Sequence, residues 1–187
     1  MRALSAALVL AFAAGAAPAA EDFTVETLRR GEAVEVRCGA TLEAPKEIVW
    51  QTLTDYGRLA EFIPGMRRSR IVSYAGGAAV VEQVGEARFL FITYPIEVTL
   101  SSVERPPDTI EAKMLKGNLT RMEGAYRVRV RADGRVHLSW DGLVEAPGLP
   151  PLIGELVMRA NIEDQFRGMV REIERRDALR REGEAKR

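Results

Sequence analysis

The chain has 187 residues, with 27 Lys+Arg against 27 Asp+Glu and a formal net charge of +0. That balance removes the general electrostatic case for nucleic-acid binding, which needs a basic excess to displace counterions from phosphate. Hydrophobic residues at 47% and charged residues at 29% describe one globular domain able to bury a core, neither disordered nor collagen-like.

Residues Met1 to Ala20, MRALSAALVLAFAAGAAPAA, place one cation, Arg2, before an apolar run from Ala3 to Ala14 and then small residues. This is the pattern of a secretory signal peptide. The run is shorter than the ~20 apolar residues of a spanning helix, and Ala17-Pro18-Ala19 supplies the small residues of a cleavage site. Residues 1–19 are therefore expected to be removed and the protein exported, to the periplasm. No cysteine follows the cut, so no lipid anchor is expected. The single cysteine, Cys38, cannot form an intrachain disulfide. Its place in an apolar alternation reads as a core thiol.

Val34, Val36, Cys38, Ala40 and Leu42 alternate with Glu35, Arg37, Gly39 and Thr41, which predicts a strand whose even positions face inward. Pro45 suits the first turn of a helix carrying Ile48, Val49, Trp50 and Leu53, and a second helical turn covers Leu59 to Ile63 before Pro64-Gly65 stops it. From there to Val144 the signals are strands and tight turns. Gly76-Gly77 separates Arg67–Tyr74 from Ala78–Gly85; Pro106-Pro107-Asp108 separates Ile96–Glu104 from Thr109–Leu115; Asp133-Gly134 separates Met122–Arg131 from Arg135–Val144. Phe89-Leu90-Phe91-Ile92 is read as a strand segment needing cover on both faces, with a bend near Pro95.

After Pro150-Pro151 helical spacing runs to about Arg176. Met158, Ile162, Phe166, Met169 and Ile173 share one face, while Ile153, Leu156, Val157 and Ala160 fall nearly opposite, where the Leu59–Met66 turn is the expected cover. The charged residues 177–187 are expected to fray.

The order of strand, two short helices, about six further antiparallel strands and a long C-terminal helix resembles the α+β helix-grip fold, a curved antiparallel sheet of about seven strands around that helix. The stretch ATLEAPKEIVWQTLTDYGRLAEFIPGMRRSRIV, with VEQVGEARFLFITYPIEV, LKGNLTRMEGAYRV and GLPPLIGELVMRANIEDQFRGMVREIERR, resembles the polyketide cyclase/dehydrase and coenzyme Q-binding START-domain families of the START-like (SRPBCC) superfamily, exported bacterial type. The resemblance spans residues 33–176. It implies a hydrophobic cavity between sheet and helix, used in such families for lipids, quinones, polyketides or other apolar molecules.

Chemistry is sparse. The sole histidine, His137, alternates with Val136, Leu138 and Trp140 and should face solvent. One His and one Cys assemble no usual zinc set, and neither GxxxxGK[ST] nor GxGxxG occurs, so no metal and no cofactor is expected. Glu82, Glu111 and Glu123 are the carboxylates that would do acid/base work if a cavity desolvated them, against the plainer reading of a solvated sheet face. Arg127, Arg129 and Arg131 form a row opposite Tyr126, Val128 and Val130 and read as an outer face. Arg67, Arg68 and Arg70 add charge that an anionic membrane surface would attract transiently.

The leading reading is an exported monomeric carrier for a hydrophobic small molecule. Phe89, Phe91, Met114, Trp140, Met158, Ile162, Phe166 and Met169 form its expected wall, with methionines suited to an adaptable surface. The alternative is a cyclase or dehydratase working in the same cavity. The resemblance extends to a ribosome-associating toxin family, a reading that applies to a chain kept in the cytoplasm.

Overall fold

The computed structural model describes residues 20–187, so the expected signal peptide, residues 1–19, lies outside the described residues. Eight strands follow one another as β1 (Glu21–Arg30), β2 (Ala33–Leu42), β3 (Met66–Ala75), β4 (Ala78–Phe89), β5 (Ile92–Arg105), β6 (Thr109–Gly117), β7 (Arg121–Val130) and β8 (Val136–Glu145). Helix α1 (Lys46–Leu53), a 3-10 turn (Tyr56–Arg58) and α2 (Leu59–Phe62) separate β2 from β3, and α3 (Pro151–Ala185) closes the chain. The sheet is antiparallel, in the order β1-β2-β8-β7-β6-β5-β4-β3. This is the expected α+β helix-grip arrangement.

Alternation along β2 sets the core. Val34, Val36, Cys38, Ala40 and Leu42 are all buried, and the opposing Val136, Leu138, Trp140 and Val144 of β8 are buried with them. Burial pushes the Cys38 thiol up to about 12, with Glu163 and Asp141 adding to the shift, so it stays protonated and inert. His137 stands on the other face of β8, its Nδ1 3.4 Å from Thr41 Oγ1. The arginine row of β7 is also an outer face, where Arg127 pairs with Asp141 at 2.5 Å.

The structure adds a strand to the expected seven. β1 holds only three large apolar residues, Phe23, Val25 and Leu28, yet it pairs with β2 from Glu21↔Thr41 to Arg30↔Ala33. It also gives α3 a neighbour that the sequence reading did not include. The ring of Phe23 meets Phe166 at 5.7 Å, and Thr27 Oγ1 donates to Glu155 Oε1 at 3.1 Å, so β1 runs beside the helix. The turn after α2 packs on α3 between Asn161 and Gly168, where a Cβ on Gly65 would lie 3.8 Å from Asn161 Nδ2 and one on Gly168 would meet Pro64 Cδ and the Phe62 carbonyl. Val157 is fully buried, while Leu152 and Leu156 remain exposed.

A second correction concerns Phe89-Leu90-Phe91-Ile92. These residues form a tight turn, with Leu90 at φ 53°, and β4 and β5 pair without a register shift from Ala78↔Val103 to Phe89↔Ile92. Leu90 and Phe91 are 83% and 92% exposed. Pro95 is tolerated because β6 pairs β5 only from Val98 onward, so its missing N–H breaks no bond on that side.

Helix α3 has 35 residues, about 52 Å of rise, and continues to Ala185 where fraying was expected from residue 177. Ion pairs hold its last third. Asp177, 3% exposed, accepts from Arg180 at 2.8 Å and Arg181 at 2.6 Å, and Arg181 lies 3.7 Å from Glu43. Arg176 reaches Asp55 at 2.8 Å and Glu172 at 2.7 Å.

Glu172 is buried among these cations, and its hydrogen bond from Arg175, helped by one from Arg176, holds its carboxyl down from 4.5 to about 2. A carboxylate depressed in the folded state contributes stability above its unfolded value and loses it as pH falls through the folded one. Arg175 is half exposed, so water screens the pair and the contribution is on the order of 1–2 kcal/mol. Urea midpoints should therefore decline between about pH 5 and pH 2, and Glu172→Gln should be less stable near neutrality with a flatter decline. A variant that declines as steeply as the parent would contradict this assignment.

Candidate functional site

The backbone of α3 comes closest to β4 on one side and to β2 and β1 on the other. Strands β2 and β4 are five places apart in the sheet, about 24 Å if it were flat. One helix about 10 Å across can touch both only if the sheet bends around it. The middle strands then stand away from the helix, and side chains must fill the gap.

They do not fill it completely. A cavity of about 140 Å3 remains, walled by β4–β8, α3 and the α1–β3 segment. It is near the size at which an apolar hole in a protein accepts a benzene ring. Val98, Leu100, Ile110, Met122 and Val144 form its sheet side, Met158, Ile162, Phe166 and Met169 its helix side, and Leu53, Tyr56, Leu59 and Ile63 one end. Among the residues that line it there is no Lys, Arg, His or Asp.

Five of the eight expected wall residues line this cavity together: Trp140, Met158, Ile162, Phe166 and Met169. Three do not. Phe91 is at the exposed β4–β5 turn, Phe89 packs beside it at the margin of the core, and Met114 places its Sδ over Gly117. The expected carboxylates are elsewhere as well. Glu82 faces outward, where the hydrogen bond from Arg70, with Arg68 nearby, holds it below the usual carboxylate range. Glu111 pairs with Arg105 at 3.3 Å and Glu123 with Arg121, and none of the three reaches the cavity. Glu86 is the carboxylate residue among those that line it, and its side chain is neutralised by Arg67 and Arg88.

The polar groups of the wall fall into two sets. Asn161 Nδ2 donates to the Glu86 carbonyl at 3.5 Å, and Gln165 Nε2 donates to Asn161 Oδ1 at 3.2 Å, tying α3 to β4. Tyr56 donates to Glu104 Oε1 at 3.1 Å. Gln83 and Tyr126 also line the cavity, and their side chains have no hydrogen-bond partner among the described residues.

Two mid-strand glycines shape the sheet side. Gly124 of β7 and Gly142 of β8 are directly paired, and the six-membered ring of the Trp140 indole lies against both. A Cβ on Gly142 would overlap Cη2 and Cζ2 of that ring, and one on Gly124 would come within 2.9 Å of Cζ2. Sequence reasoning passed over both. Their signal was a glycine inside each of two alternating strands, which marks close approach of another group.

No group of three or more His, Cys, Asp or Glu that could hold a metal occurs among the described residues. Nor is any helix among them long and apolar enough to cross a membrane.

Residues 33–176 match the family described as polyketide cyclase / dehydrase and lipid transport. The chain belongs to that family. Its fold recurs in solved structures. The Zhui aromatase/cyclase from Streptomyces sp. R1128 is 19% identical, with a TM-score of 0.66 over 77% of this chain and 95% of its own. A STAR-related lipid transfer protein from Xanthomonas axonopodis is 14% identical, with a TM-score of 0.65 over 84% of this chain and 96% of its own. A START superfamily protein from Mycobacterium smegmatis is 13% identical, with a TM-score of 0.59 over 78% and 97%. At these identities the likeness is one of fold. No curated protein matches the chain significantly in sequence.

Proposed function

We propose that this member of the family binds a small apolar molecule in the cavity and carries it outside the cytoplasm. The observation that carries the reading is free volume between sheet and helix, inside a mainly apolar wall that holds no Lys, Arg or His. Covering roughly 200 Å2 of an apolar guest contributes about 5 kcal/mol before the costs of association. No catalytic group is required for that. The leader-like residues 1–19 support export.

Native mass spectrometry of the protein recovered from its own cells tests both parts. A chain starting at Ala20 or Glu21 with an added small-molecule mass is expected. Repeated recovery of the bare protein argues against the carrier, and an intact Met1 argues against export.

One observation favours a second reading, a cyclase or dehydratase in the same cavity: Tyr126 offers a phenol that could transfer a proton to a bound carbonyl. An aromatase/cyclase is among the structures of this fold. Turnover of a polyketide-like substrate that is lost in Tyr126→Phe would select it over carriage.

A further inference from the structure

Tyrosine hydroxyls that leave water normally find a partner. In this protein Tyr56 uses Glu104 and Tyr94 uses the Pro147 carbonyl, at 3.1 Å each. Tyr126 uses nothing among the described residues. Its position on β7 turns it inward, between Ile110 of β6 and Trp140 of β8, both of which line the cavity. The side chain is not sealed: it keeps accessible surface while packing against the core, and Tyr126 is among the residues that line the cavity. Burial drives the phenol's pKa well above the ordinary tyrosine value, with Cys38 adding to the shift, so it remains a neutral O–H.

Resting on the binding reading above, we propose that Tyr126 donates a hydrogen bond to the ligand, and that the ligand is a neutral, mainly hydrocarbon molecule bearing a carbonyl-type oxygen. A carbonyl supplies the acceptor that the phenol lacks and brings no donor of its own that needs a partner. A carboxylate is excluded by the wall. Burying an anion requires a partner charge, and no Lys, Arg or His lines the cavity.

Three fluorinated probes of benzene-ring size separate these features: 4-fluoroacetophenone, 1-ethyl-4-fluorobenzene and 4-fluorobenzoate, titrated by 19F NMR into the parent protein and Tyr126→Phe. The ketone should bind the parent roughly 5–10-fold tighter than the hydrocarbon, the range of one hydrogen bond. In Tyr126→Phe the ketone should fall to the hydrocarbon's affinity, the hydrocarbon should be unchanged, and benzoate should be weakest in both proteins. Because the substitution removes an unpaired hydroxyl, the ligand-free variant should melt at the parent's temperature or higher.

Equal ketone affinity in the two proteins, with the hydrocarbon still bound, overturns the role of Tyr126 and leaves apolar binding standing. Benzoate binding more tightly than the ketone overturns the neutral-ligand assignment. Failure of all three probes overturns the cavity-binding reading together with this one. A measurement on the parent alone covers a variant that fails to fold: the infrared carbonyl band of bound 13C-labelled acetophenone should lie below its position in hexane. An unshifted band overturns the proposal.

Discussion

A Gly142→Val variant should fold, yet lose its capacity for an apolar guest by more than tenfold. Valine is a better strand residue than glycine, so propensity alone favours the change. The indole of Trp140 occupies the space that any Cβ at this position needs. Free volume for a displaced ring lies in the cavity it already lines. Overpacking of this kind destabilises by about 1–3 kcal/mol, and here the free volume absorbs part of the strain at the expense of binding. Urea unfolding and titration with an apolar fluorine probe measure the two effects separately. Unchanged binding would mean that the glycine pair does not hold the cavity open.

Phe166→Ala should have the larger effect on stability, a loss of about 3–5 kcal/mol. Phe166 is 2% exposed, lines the cavity and meets the ring of Phe23, over which the Arg167 guanidinium sits 4.1 Å from the centroid. Truncation removes a side chain that touches both the edge strand and the hollow. The enlarged space should also admit guests that the parent rejects, such as a fused two-ring hydrocarbon. A loss under about 1 kcal/mol would show that the helix and β1 are coupled elsewhere.

Much of this arrangement was legible in the residues. Alternation along Val34–Leu42 and Val136–Val144 marked two central strands, and every large side chain turned inward there is buried. The helix side of the wall followed from 3.6-residue spacing, which brought Met158, Ile162, Phe166 and Met169 to one face. Prediction failed where the deciding force was not hydrophobic periodicity. β1 carries few large apolar groups and is held by its hairpin ladder to the adjacent β2 and by the contact of Phe23 with Phe166, 143 residues further along the chain. The end of α3 persists through charge pairs to Asp55 and Glu43, which no local pattern announces. Phe89 and Phe91 were placed on the wall because four apolar residues in a row suggest a buried strand, and the chain turns there instead. Tyr126 was turned inward correctly, but its lack of a partner is a property of the packed neighbourhood, not of β7.

The position of β2 in the sheet also bears on how the chain assembles during synthesis. Val34 pairs with Val144, a separation of 110 residues, so β2 leaves the ribosome long before one of its two neighbours exists. Until β8 emerges, Val36, Ala40 and Leu42 have only β1 beside them, and loop closure across that span must precede any reward from pairing. A nascent chain halted before residue 136 therefore exposes a greasy, half-paired ribbon, the kind of surface that chaperones bind and aggregation exploits.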